Sequence, residues 1–66
     1  MDLFNITFNN MKFTYIDSIT INSKNYVAYM DDDNVYISEY VMENGDITFF
    51  DVTDTIYDMV LKELNL

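Results

Sequence analysis

The sequence predicts an α+β domain, an antiparallel meander sheet of four to five strands with one C-terminal helix packed on one face. Three observations lead there. Apolar residues alternate with a period of two through most of the chain, polar clusters rich in Asn and Asp interrupt that alternation at short intervals, and after residue 52 the apolar spacing becomes helical. With 66 residues the chain makes one compact domain over 1–66, since so short a chain buries only about 60% of its unfolded surface and has no material for a second core.

The first element is predicted over Leu3 to Phe8, where Phe4, Ile6 and Phe8 alternate with Leu3, Asn5 and Thr7 as in a half-buried strand. Asn9-Asn10 reads as a turn. From Lys12 to Ile21 a long strand is expected, with Phe13, Tyr15, Ile19 and Ile21 on one face and Thr14, Ser18 and Thr20 on the other. Asp17 interrupts the apolar side, which suggests a bulge near it. After the turn signal Asn22-Ser23-Lys24-Asn25, the continuous apolar run Tyr26-Val27-Ala28-Tyr29-Met30 suits a central strand covered on both faces.

Asp31-Asp32-Asp33-Asn34 is the next turn, and Val35 to Met42 alternates again. The Asn44-Gly45 pair within Glu43 to Asp46 suits a tight hairpin, and Ile47 to Val52 completes the meander. Ile56, Met59, Val60 and Leu64 then recur at helical spacing, and Thr53 or Asp54 can cap the amide end of a helix of about three turns. Both faces of the sheet are apolar in places, whereas one helix covers one face, so a second occupant, a homodimer first of all, is expected on the other.

Six Tyr and five Phe in a chain that is 50% hydrophobic place it among folding sequences and outside the disordered class. Twelve Asp and Glu against three Lys give a net charge of −9, which opposes direct binding to nucleic acid or anionic lipid and favours a protein partner with a basic surface. There is no basic segment followed by an apolar run at the N-terminus and no run of the ~20 apolar residues that a membrane helix needs, so a cytoplasmic location is expected.

Catalysis needs groups that attack or exchange protons, and the chain has no His, no Cys and no Arg. A non-enzymatic protein with no catalytic residues and no cofactor is therefore expected. The run Asp31-Asp32-Asp33-Asn34 resembles the start of a calcium loop, but Val35 stands where an oxygen ligand belongs and Met42 occupies the position of the bidentate Glu, so no metal site is expected. With Gly45 as the only glycine, a glycine-rich phosphate loop is excluded.

The candidate site residues are for partner binding. Tyr29, Tyr36 and Tyr40 fall in adjacent strands around the tri-aspartate turn Asp31, Asp32 and Asp33, with Glu39, Glu43 and Asp46 nearby in sequence. Tyrosine supplies contact area at low entropic cost, and carboxylates accept paired hydrogen bonds from a partner's arginines.

Ile6-Thr7-Phe8 before a turn, Ser23 to Tyr29, the acidic turn Asp31 to Asp33, Glu43-Asn44-Gly45-Asp46-Ile47 and Asp54 to Val60 follow one another in an order that resembles the YrzB-like family. These are short acidic proteins of unknown function from low-GC Gram-positive bacteria. The resemblance implies a strand-rich domain with a C-terminal helix in the bacterial cytosol or in a phage-infected host, and it carries no activity.

Two functional readings follow. One is a small acidic protein-binding module of the kind represented by phage inhibitors and nucleic-acid mimics, which occupy a basic surface of a host protein. A globule of this length, about 28 Å across, matches duplex DNA with about 16 phosphates, roughly half of them on one side. The other is a dimeric structural or regulatory interaction protein that uses a tyrosine-rich sheet face, its acidity serving solubility.

Overall fold

Three two-residue turns set the architecture. The computed structural model describes residues 3–66, with side chains from Thr7 onward. Its elements run α1 (Leu3–Asn10), β1 (Thr14–Ile21), β2 (Lys24–Asp31), β3 (Asn34–Glu43), β4 (Asp46–Phe50) and α2 (Asp54–Glu63). The four strands form one antiparallel sheet in the order β1-β2-β3-β4, the meander that the alternation predicts. At the β1–β2 turn Asn22 and Ser23 both have positive φ (51° and 67°), and at the β3–β4 turn Asn44 and Gly45 do (52° and 82°). That left-handed pair matches the twist of the flanking strands, and Asn and Gly adopt it at low cost. Asp32 (φ 51°) turns β2 into β3.

The segment predicted as a first strand is a helix. In sequence Phe4 and Phe8 lie four residues apart as well as on a period of two, so six residues satisfy either pattern. Backbone bonding decides between them, with the Met11 amide donating to the Thr7 carbonyl four residues back at 3.3 Å. Phe8 is fully buried against Val27, and its ring stacks on Tyr29 at 4.5 Å. The side chains of Leu3 to Ile6, on which the rest of the predicted alternation falls, lie outside the described residues.

α1 ends in a Schellman arrangement, with the Phe13 amide donating to the Phe8 carbonyl (2.7 Å), the Lys12 amide to that of Asn9 (3.0 Å), and Lys12 in the left-handed region at φ 62°. Phe8 and Phe13 pack into the same cluster, which completes the motif with an apolar contact and turns the chain back toward β1.

The expected bulge is present and has a larger effect than the sequence reading gave it. Tyr15 pairs with Tyr29 while Asp17 pairs with Ala28, so Ile16 is the extra residue. One inserted residue exchanges the two faces of everything beyond it. Phe13 and Tyr15 therefore pack beneath α1, whereas Ile19 and Ile21 pack on the α2 side. The single shared face predicted for those four residues is thus two faces.

The sheet lies between the helices. Tyr26, Ala28 and Ile37 form one core with Val60 of α2, ringed by Ile16, Ile19, Ile21, Val52, Ile56, Tyr57, Leu61 and Leu64. Phe8 and Val27 form the other, ringed by Phe13, Tyr15, Tyr29, Tyr40, Ile47 and Phe49. β2 is the central strand covered on both sides that its apolar run predicts, with Tyr26, Val27 and Ala28 at 4%, 0% and 0% exposure. Because α1 covers the second face over Val27, the apolar excess that motivated a dimer has an internal partner there. Thr53 caps α2, its Oγ accepting from the Ile56 amide at 3.3 Å. The molecule measures 29 × 28 × 19 Å with a Cα radius of gyration of 11.4 Å.

Candidate protein-binding site

The meander places the two acidic turns at opposite ends of the sheet. The tri-aspartate turn joins β2 to β3, and Glu43 and Asp46 flank the turn at the far end of β3. Ten residues of extended strand separate them, roughly 30 Å. Asp31, Asp32 and Asp33 therefore do not share a patch with Glu43 and Asp46, although all five are exposed. Glu39 is half-buried in mid-sheet, paired with Tyr26 on one side and Phe50 on the other, on the α2 face. Among the described residues no group of three or more carboxylates converges to hold a metal.

The tyrosines divide as well. Tyr29 and Tyr36 are cross-strand partners whose rings stack at 5.6 Å. Tyr29 is also packed against Phe8, and Phe13 meets its ring edge-on at 5.2 Å. Its hydroxyl pairs with that of Ser38 at 2.8 Å, which gives that buried serine its partner. Tyr40 is half-buried in the same cluster. Of the three, Tyr36 is the exposed one, at 38%, with Phe13 against it at 5.5 Å. The tyrosine-rich face is thus largely the packing surface of α1, with Tyr36 at its open margin.

Tyr36 instead joins a groove that the sequence reading missed. An open cavity of about 590 Å³ is lined by Asp33, Asn34, Val35 and Tyr36 from the start of β3 and by Tyr57, Leu61 and Leu66 from α2 and the residues after it. Its walls are linked where the Tyr57 hydroxyl donates to the Val35 carbonyl at 2.7 Å. The groove exists because β4 is half the length of β3 and pairs with it only from Glu43 back to Glu39. Among the described residues, no strand lies beside β3 on that side along Asn34 to Ser38. At 100° per residue, Asp54 falls on the flank of α2 next to Leu61, whereas Asp58 lies nearly opposite the buried Val60, and both are exposed. The groove accordingly has an apolar lining between carboxylates on either side.

Charge is presented outward throughout. Every described carboxylate except that of Glu39 is exposed, as are Lys12, Lys24 and Lys62. No helix among the described residues is long and apolar enough to cross a membrane. Compared with known proteins, the chain matches no family model, no curated protein and no solved structure.

Proposed function

We propose that this protein is an acidic protein-binding module whose partner presents a basic surface of the kind that otherwise holds nucleic acid. One observation carries the reading. The described carboxylates other than that of Glu39 stand in solvent, most of them on turns, strand ends and helix flanks, while the packing of both cores is apolar and aromatic. A net charge of −9 on a body 29 Å long is of the order of the phosphate charge that one side of an equally long DNA duplex presents, about 8 to 9. Such a surface attracts a cationic partner over a Debye length and repels nucleic acid and other copies of itself.

The test is capture from a native-host lysate at low salt, run in parallel with the wild type and with Asp31, Asp32 and Asp33 all replaced by Lys, each eluted on a salt gradient. The proposal expects basic proteins to be retained by the wild type, released as salt rises, and lost with the charge-reversed variant. Retention that persists at 1 M salt, where screening reduces the Debye length to about 3 Å, or that ignores charge reversal, contradicts it.

A further inference from the structure

Backbone geometry shows what kind of segment the groove can hold. In the β3–β4 hairpin the two-residue turn Asn44-Gly45 makes Glu43 and Asp46 a hydrogen-bonded pair, and bonded pairs recur at every second residue, at Val41 with Thr48 and at Glu39 with Phe50. The same alternation carried back along β3 points the backbone N–H and C=O of Ile37 and Val35 to that side. Tyr36 and Ser38 point theirs to β2. Beyond Phe50 the chain leaves the sheet for α2, so among the described residues Val35 and Ile37 have no strand next to them on that side. The Val35 carbonyl has the Tyr57 hydroxyl as a substitute partner.

An unpaired strand edge is a template for another strand, and proteins usually block it. The opposite edge of this sheet is blocked twice. β1 carries the Ile16 bulge, and the Ser18 amide, which points outward because Ile19 and Asp17 point to β2, is taken by the carboxylate of Asp17 at 2.8 Å. Among the described residues the notch in β3 has neither a bulge nor a side-chain carboxylate on its amides. It has an apolar groove with Asp33 in its lining and Asp54 on its helical flank.

We propose that the β3 notch binds an extended, positively charged segment of a partner protein by strand addition. The segment hydrogen-bonds to Val35 and Ile37, its side chains on the α2 side rest on Val35, Tyr57 and Leu61 and, where they are Lys or Arg, reach Asp33 and Asp54, and the alternate set lies beside Tyr36. The extended form is selected by the open edge and the positive charge by the rim. A second copy of this chain, at net charge −9, is repelled from the same place. The inference rests on the reading of the protein as an acidic protein-binding module and specifies what part of the partner it takes.

The experiment measures binding of a blocked peptide of about seven residues, Arg-Arg-Val-Val-Arg-Arg-Val, which presents both residue types on each face of a strand, by isothermal calorimetry at two salt concentrations. The control is the same peptide with alternate backbone amides N-methylated, which keeps the charge and removes donors. Val35→Pro removes one outward N–H while leaving the ladder to β2 intact, a substitution that strand edges accept. The proposal expects binding that weakens with salt, falls by roughly tenfold with Val35→Pro, and falls at least as far with the methylated peptide. If Val35→Pro does not fold, the methylated peptide on wild-type protein decides. Equal binding of both peptides overturns strand addition while leaving the acidic-module reading intact, whereas salt-independent binding overturns that reading itself. Self-association of the free protein that the peptide fails to reverse gives the edge to a second copy and also overturns the proposal.

Discussion

The hydroxyl of Tyr57 in α2 donates to the carbonyl oxygen of Val35 in β3 at 2.7 Å, across a separation of 22 residues in sequence. This bond fastens the C-terminal helix to the stretch of β3 that, among the described residues, has no strand neighbour on the β4 side. Tyr57→Phe keeps the ring and removes the donor. A loss of stability of about 0.5–1.5 kcal/mol is expected from urea unfolding, with the slope unchanged. Because the same change frees the Val35 carbonyl for an incoming strand, peptide affinity should be maintained or raised, not lowered.

Phe8 carries the case for α1 as the cover of the second sheet face. Its ring is fully buried among Val27, Tyr29 and Phe49. Phe8→Ala should cost about 3–5 kcal/mol through lost burial and the cavity left behind. For a domain of this size the whole stability is about 3–10 kcal/mol, so much of the population should unfold. Far-UV circular dichroism against temperature measures it, and a shift of less than a few degrees would remove α1 from the core.

Two left-handed turn positions make opposite predictions. Lys12 sits at φ 62° in the α1 terminus, where glycine is the usual residue, so Lys12→Gly should raise stability by about 0.5–1 kcal/mol. Gly45 at φ 82° has nothing within 4 Å of where a Cβ would stand, so Gly45→Ala meets no clash and should still cost about 1–2 kcal/mol from conformation alone. Chemical denaturation of the pair checks the backbone reading independently of packing.

Thr53→Ala removes the oxygen that accepts from the Ile56 amide and should lower stability by about 1 kcal/mol, read as an increase in fraying of the first turn of α2 by amide exchange.

The strands from Ile19 onward and the C-terminal helix were legible in the sequence because alternation, Asn-Gly turn chemistry and the Thr53 cap all agreed. α1 was not, since a six-residue apolar alternation with a Phe4/Phe8 spacing of four fits both periods, and the sequence alone does not separate them. The bulge was anticipated at Asp17, but its consequence needed the register, because a single extra residue at Ile16 moves Phe13 and Tyr15 to the other face from Ile19. At the candidate site, Asp31, Asp32, Asp33 and Tyr36 lie at or next to the groove, while Tyr29 and Tyr40 serve the core and Glu43 and Asp46 lie at the far end of the sheet. The groove itself has a signature in the sequence. A strand of five or six residues after an Asn44-Gly45 turn cannot pair with the whole of a preceding strand that starts at Val35.

Amide hydrogen exchange along β3 is the most direct measurement of whether the notch is an open edge suited to strand addition. In the free protein the amides of Tyr36 and Ser38, bonded to β2, should be protected, while those of Val35 and Ile37 exchange quickly, and the arginine–valine peptide should slow the latter pair. Equal protection of all four amides in the free protein, or no slowing of Val35 and Ile37 at saturating peptide, would contradict it.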